Sequence, residues 1–380
     1  MRILMWITRT ATQPATAAAQ VRTGTLSIYY IDTVTQKRLS CRAVRRGLML
    51  FSVFLESDMN RSFLRSDKWR IIALVVLVAA AGGRPFGQAP VGAAQRPPAR
   101  QNAPLIVMSP KATSPGWTGV HRPHTRLVDV VARHKGQVDW AETIVDDESL
   151  NAQWISMGPG RKTQRRMNGD TREWWIVQSG TLKFTIEGRD EAIVATKGVM
   201  VQAPYRTLYQ IENVGAEPAL RFEVNVARAR KLYPVDETPV PLPGFQYVKT
   251  RVDGGRGVLD AQNRQAVDFN KVVSGDERGG AFVTDDRSFA NIIMGRYQPA
   301  QPGNKGHYHE EGGEFWLIML GHIRYNIEGL DQFEAEAGDV VYVPRQTWHL
   351  ASNGGKEGER SCRLAMNGFP YQAHMYEADR

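Results

Sequence analysis

Gly306-His307-Tyr308-His309, followed by Glu314-Phe315-Trp316-Leu317-Ile318-Met319-Leu320-Gly321, decides the reading of this chain. His307 and His309 are two apart, so on an extended strand both side chains point to one face. Glu314 opens an apolar run that Gly321 closes as a strand closes at a turn. Downstream, Val340-Val341-Tyr342-Val343 meets Pro344 and delivers His349 from a different strand. Three imidazoles and one carboxylate form a ligand set for one divalent first-row transition metal. Ligands from separate strands converge only where a sheet curls on itself, inside a barrel. Two surface histidines in a polar loop would account for His307 and His309, but would leave the spacing of Glu314 and His349 to accident.

These residues resemble the two signatures of the cupins. His307-x-His309, then Glu314 and Gly321, resembles the first; Gly338, Pro344, His349 and Asn353 resemble the second. Gln346 stands where the family usually has glycine. The glycine expected before His307 is replaced by a closer one, Gly303. The resemblance implies an all-β fold of two tandem double-stranded β-helix (jelly-roll) barrels, because the signature recurs. Glu173-Trp174-Trp175-Ile176 answers Glu314-Phe315-Trp316-Leu317, and Gly180 answers Gly321, at an offset of 141 residues. Thr185-Ile186-Glu187-Gly188 answers Asn326-Ile327-Glu328-Gly329, and Gly198, Pro204 and Asn213 then match Gly338, Pro344 and Asn353 at 140. Two copies so far apart are two domains, not a solenoid. Each has more than 100 residues, enough to bury its own core.

The first copy keeps the frame and loses the ligands. Arg166 stands for His307, Asn168 for His309 and Tyr209 for His349, and only Glu173 survives. Arginine cannot accept a metal and carries the wrong charge, so this barrel is expected to hold none. Glu173 then needs a partner inside, for which Arg166 is the candidate, with Tyr209 or Asn168 adding a hydrogen bond. The alternative is an anion pocket, since Arg161, Lys162 and Arg165 crowd the same loop. In the second copy, alternation turns Trp316 and Ile318 to the ligand face, with Ile323, Tyr325 and Ile327 on the next strand. Trp316 and Tyr325 are the candidate pocket walls. Trp348 and Tyr308 should point away. His121, His124, His134, His322 and His374 lack ligand spacing and are read as surface or structural.

The formal net charge of +9 misleads about partners. Residues 1–89 hold 13 Lys+Arg and 4 Asp+Glu, which leaves 35 of each sign (48 less 13, 39 less 4) for the rest. No polyanion or nucleic-acid partner follows from that balance. From Met59, the cations Arg61, Arg65, Lys68 and Arg70 precede an apolar run from Ile71 to Ala81 and then small residues, the order of a signal peptide. The run is short for a membrane span, which needs roughly 20 residues. The chain therefore divides into 1–58, an over-extended start, a signal peptide at 59–94, and an extended or flexible arm at 95–124. An N-terminal cupin domain at 125–233, a Pro/Gly-rich connection at 234–262 and a C-terminal cupin domain at 263–380 follow. The expected address is periplasmic or secreted, without membrane insertion after processing. Cys362, the one cysteine of the mature chain, gives no internal disulfide.

Four protein ligands on an octahedral ion leave two positions for water, substrate or dioxygen. The resemblance implies iron or manganese first, with zinc, nickel or copper as alternatives. It also implies a metal-dependent enzyme, dioxygenase-like or decarboxylase-like, on a small oxygen-bearing substrate; the rival is a binding or storage cupin without turnover. A homo-oligomer is compatible with either. Two-domain oxalate decarboxylases are similar in layout but carry an arginine three residues before the His-x-His pair, where this chain has Asn304 beside Lys305.

Overall fold

A computed structural model describes residues 105–107, 111–244, 246–299, 305–368, 370 and 372–377, with the backbone of three earlier strands. Those strands, β1 (Tyr30–Ile31), β2 (Arg38–Val44) and β3 (Leu50–Phe54), form an antiparallel sheet within residues 1–97, a compact unit of their own. The signal-peptide segment 59–94 lies outside the described residues, as do Gly303 and Asn304.

Residues 98–380 form the second unit, which is almost entirely β. It opens with β4 (His124–Thr125) and α1 (Leu127–Arg133). In the first copy, β5 (Trp140–Asp146), β6 (Leu150–Met157), β7 (Met167–Asn168), β8 (Glu173–Ser179) and β9 (Leu182–Ile186) come next. Then follow β10 (Ile193–Ala195), β11 (Val199–Ala203), β12 (Tyr209–Asn213), β13 (Ala219–Val226) and β14 (Lys231–Leu232). The second copy has β15 (Ala266–Asp268), α2 (Phe269–Ser274), β16 (Gly280–Asp285), β17 (Ser288–Arg296), β18 (Glu314–Leu320) and β19 (His322–Ile327). It ends with β20 (Phe333–Glu336), β21 (Val340–Val343), β22 (His349–Asn353) and β23 (Arg360–Asn367).

Each copy is a six-stranded sheet facing a three-stranded one, in the same order. The first runs β15-β11-β8-β13-β6-β5 over β10-β9-β12; the second runs β4-β21-β18-β23-β17-β16 over β20-β19-β22. The outermost strand of each large sheet comes from the other copy. β4 pairs with β21 and β15 with β11, so His124 and Thr125 belong spatially with the C-terminal barrel. The exchange is anchored at matching glycines in the left-handed region. A Cβ on Gly338 (φ 99°) would meet Leu127 at 2.6 Å, and one on Gly198 (φ 89°) would meet Phe269 at 3.1 Å. Asp339 also accepts from the Leu127 amide (3.1 Å), capping α1 from across the exchange.

Alternation explains why the central strands read as unbroken apolar runs. Along β8, Trp174 and Ile176 face a core shared with Phe315 and Leu317 of β18, between the large sheets. Trp175 and Val177 face the interior of the first barrel, and Trp316 and Ile318 the second. Both faces of each strand are buried, so no polar face is needed. Glu173 and Glu314 head these strands on the interior face, which is what positions both sites.

The described part of the arm is extended and docked on the C-terminal barrel. Lys111 bonds Glu377 (3.1 Å), Ser114 meets Thr347 (2.6 Å), and the Trp117 indole donates to the Tyr342 carbonyl (2.9 Å). No helix among the described residues is long and apolar enough to cross a membrane.

Candidate metal centre

The second barrel brings His307, His309, Glu314 and His349 together, with one ligand atom of each within 4.8 Å of all the others. Glu314 comes from the start of β18 and His349 from the start of β22. An isolated bridge joins His307 to His349, with amide-to-carbonyl bonds of 3.0 and 2.8 Å. Gly306 (φ 64°) makes this approach feasible, since a Cβ there would lie 2.5 Å from the Trp348 ring and 2.6 Å from the His349 carbonyl. Gln346, in the glycine position of the signature, takes φ 65°. Its amide donates to the His309 carbonyl (2.7 Å) and its side chain to the Glu310 carbonyl (3.0 Å).

The donor set fits a cation. His309 Nδ1 faces the Ala373 carbonyl (2.9 Å) and His349 Nδ1 the Thr347 carbonyl (3.1 Å). Both nitrogens must carry the proton there, which turns each Nε2 lone pair inward. His309 Nε2 lies 2.9 Å and His349 Nε2 3.4 Å from the same Glu314 oxygen. His307 Nε2 and His349 Nε2 are buried without a hydrogen-bond partner among the described residues. Buried polar atoms are rarely left so, and here a metal ion would satisfy both. Burial alone would raise the Glu314 carboxyl, but the adjacent His309 and His349 hold it well below its usual range. Burial and the neighbouring His349 push His307 down to about 2.

Trp316 and Tyr325 are buried in the barrel interior, their rings 5.3 Å apart and Trp316 5.3 Å from His349. They pack beneath the cluster as the alternation requires. The Trp348 indole turns away to the Lys305 carbonyl (2.8 Å), and Tyr308 lies under Lys111 (4.3 Å). His121, His124, His134 and His322 bond elsewhere, to the Asp146 amide, Asp339, Glu142 and Glu359. His374 lies outside the four-donor cluster but next to it. Its ring stacks on His307 at 4.1 Å, and its neighbour Met375 bridges Tyr308. It follows the last motif, so no spacing pointed to it.

The first barrel places Arg166, Asn168, Glu173 and Tyr209 at the matching positions, with Arg166 bridged to Tyr209 as His307 is to His349. Its ion pairing keeps Arg166 as a partner of Glu173 and adds a closer one. The Tyr209 hydroxyl does donate to Glu173, but Arg166 Nη2 lies 3.9 Å from the carboxylate, and Lys231 Nζ takes the contact at 2.5 Å. Asn168 does not donate to Glu173; its amide points to Asn225 (3.4 Å). A second buried carboxylate, Glu223, accepts from the Trp175 indole (2.8 Å) and faces Arg221 (3.3 Å) and Arg166 (3.6 Å). Arg161, Lys162 and Arg165 pair with Asp139, Glu212, and Asp236 with Glu237, so they do not crowd this interior. Glu223 and Arg221 had a sequence signal, because Arg221, Glu223 and Asn225 alternate with Leu220, Phe222 and Val224 along β13. Lys231 had none, since β14 is two residues long.

Residues 294–362 match the Cupin domain family. Similar solved structures include an oxalate decarboxylase variant from Bacillus subtilis, at 17% identity and TM-score 0.41, covering 68% of this chain and 80% of that one. Another is salicylate 1,2-dioxygenase from Pseudoaminobacter salicylatoxidans with gentisate, at 10% identity and TM-score 0.45, covering 67% and 84%. No curated protein matches the sequence.

Proposed function

We propose that this two-domain cupin is a metal-dependent enzyme. Its C-terminal barrel would act on a small carboxylate, enol or phenol-like substrate by dioxygenase-like or decarboxylase-like chemistry. The observation that carries this reading is the pair of buried Nε2 atoms without a hydrogen-bond partner among the described residues, beside an ionised Glu314, within a four-donor cluster. His307, His309, Glu314 and His349 would hold the ion, iron or manganese before zinc, nickel or copper. When bound, the ion would polarise an oxygen ligand and orient it for reaction.

The chain's own residues supply positioning and exclusion of water. Ala373 and Thr347 carbonyls fix the tautomers of His309 and His349, and the His374 ring covers one side of His307. Trp316, Tyr325 and Ile327 close the interior beneath the cluster with apolar surface. The expected result is one ion per chain by metal analysis, with product formation from candidate organic acids or phenols lost on chelation and restored by the ion. Stoichiometric binding without turnover in the loaded protein would instead support the non-catalytic alternative. We also place the mature chain outside the cytoplasm, processed from a signal peptide beginning at Met59. N-terminal sequencing that finds residues ahead of Met59 in native material would contradict that.

A further inference from the structure

The four donors of the second barrel are not equally enclosed. His309, Glu314 and His349 are buried, and Trp316, Tyr325 and Ile327 close the interior beneath them. His307 is half-buried, so among the described residues the cluster opens past its ring. The segment 372–377, which belongs to neither sheet, lies across that opening. Alternation along it brings His374 and Tyr376, two apart, to His307. His374 stacks there at 4.1 Å with the ring planes 15° apart, and Tyr376 lies at 5.7 Å. The His374 ring is also 5.0 Å from that of His309, and its Nδ1 is 3.2 Å from the Tyr376 hydroxyl.

The residues between these rings pin the segment to the ligand loop. The Ala373 carbonyl accepts from His309 Nδ1 (2.9 Å), and Met375 exchanges two backbone bonds with Tyr308 (3.1 and 2.9 Å). At one end Gln372 donates to the Gly312 carbonyl (2.8 Å). At the other, Glu377 pairs with Lys111 (3.1 Å), which itself sits over the Tyr308 ring. The inner pins thus fall on the loop that carries two of the ligands. The first barrel shows the alternative. Its matching segment, β14, pairs with β7 in the same register, Leu232 with Met167, and Lys231 reaches in to Glu173 (2.5 Å). An inward ion pair locks that segment, whereas stacked rings and a short bridge hold the other. So few bonds, at the edge of the fold, belong to the part of a structure that opens locally without global unfolding.

We propose that residues 372–377 form a clasp over the open side of the cluster, which orients His309 and sets how fast an ion enters and leaves. Ala373, His374 and Met375 are its positioning residues. The carbonyl of the first holds His309 with Nε2 inward, the ring of the second covers His307, and the amide of the third keeps both in place. His374 is a cover and not a further ligand, because the in-plane lone pairs of two nearly parallel stacked rings do not meet at one ion. The clasp rests on the metal reading of the preceding section for the identity of what passes beneath it, a divalent cation.

The probe is cobalt(II), loaded into the full chain and withdrawn by excess chelator while its visible absorption is followed. Met375→Pro deletes the amide that donates to Tyr308 but keeps His374, and should speed release by about 10-fold, roughly one hydrogen bond's worth. His374→Ala should speed it as well, and His374→Phe, which keeps a stacked cover without a donor atom, should restore slow release. A stop after Gln372 also removes the Ala373 carbonyl and should weaken cobalt binding by about 10- to 100-fold, as for other partners behind a ligating histidine. Urea midpoints of metal-free Met375→Pro and His374→Ala should match wild type, which separates a clasp from a merely structural segment. Release at the wild-type rate from both variants overturns the clasp and leaves the metal reading intact. His374→Phe releasing as fast as His374→Ala makes the histidine a ligand and overturns its covering role. The metal-free protein gives a second readout: diethyl pyrocarbonate should modify His307, located by mass spectrometry, about 10-fold faster in Met375→Pro than in wild type. A wild type that takes up no cobalt yet shows this difference keeps the clasp and ends the metal reading; equal modification in that case overturns both.

Discussion

The two barrels answer one buried carboxylate in two ways. Glu173 and Glu314 head equivalent strands, each paired with an inward asparagine, Asn225 or Asn367. In the first barrel the chain supplies the counter-charge, from Lys231 at 2.5 Å and Arg166 at 3.9 Å, with Tyr209 donating to the same carboxylate. In the second, histidines stand in those places. His374 is the counterpart of Lys231, because Met375 pairs with Tyr308 as Leu232 pairs with Met167. With no lysine or arginine in contact with Glu314 among the described residues, the four-donor cluster leaves room for a cation from outside. The difference between a structural barrel and a metal-receptive one thus lies in who neutralises the carboxylate.

The largest effect should come from removing a donor on the receptive side. His349→Ala should weaken metal binding by more than about 100-fold, since even outer-shell partners cost 10- to 100-fold. Tyr209→Ala, at the same place in the first barrel, should leave metal content untouched. Two ions per chain in wild type, or metal lost from Tyr209→Ala, would break the comparison at its root.

Next is the second carboxylate of the first barrel. Burial alone would raise the Glu223 carboxyl, but Arg166, Arg221 and Lys231 win and hold it below the ordinary 4.5. A carboxylate with a depressed folded pKa adds stability above its unfolded pKa, and that stability is lost as pH falls. Glu223→Gln should therefore cost about 3–5 kcal/mol near neutrality, as for breaking one side of a buried pair. The gap to wild type should close progressively below pH ~4.5. Urea midpoints that differ equally at pH 7 and pH 3.5 would show that the charge is not what matters there.

Most of the frame was legible because it rests on strand alternation and on turn residues that recur at fixed spacing. The ligand cluster was legible for the same reason, with every member inside a motif. The ion-pair partners were not. Lys231 and His374 enter from short segments after the last strand of each copy, where no periodicity constrains them. Arg166 looked like the partner of Glu173 because it replaces a ligand, yet a long guanidinium also reaches Glu223 and Tyr209. Neither the exchange of β4 and β15 nor the docking of the arm leaves a local signature, because each depends on the other copy's surface.

The third measurement weighs the two cations of Glu173, Lys231 and Arg166, against each other. Lys231→Met should cost about 2 kcal/mol, reduced from the fully buried case because Lys231 retains some exposure. Arg166→Met should cost less, since its distance to Glu173 is 3.9 Å and Glu223 keeps Arg221. Lys231→Met combined with Glu173→Leu should recover much of the loss. The reverse ranking in urea would return Arg166 to the role of principal partner.

The smallest effect concerns a feature that the barrels share. Gln346 and its counterpart Arg206 both hold left-handed backbone, at φ 65° and 56°, and each amide donates to the residue matching the second histidine. Gly would relieve about 1 kcal/mol of left-handed strain at Gln346. It would also free the unfolded chain by 0.5–1 kcal/mol in order of magnitude, and forfeit the side-chain bond to the Glu310 carbonyl, worth roughly 1 kcal/mol. These terms oppose each other, so Gln346→Gly should move the urea midpoint little, by less than about 1 kcal/mol. Metal content should hold, because the amide-to-His309 bond needs only the backbone. A gain well beyond that range would mean that the Gln346 side chain contributes nothing to the turn. A loss of metal would mean that its bond to Glu310 positions the loop carrying His309, making it part of what separates the receptive barrel from the structural one.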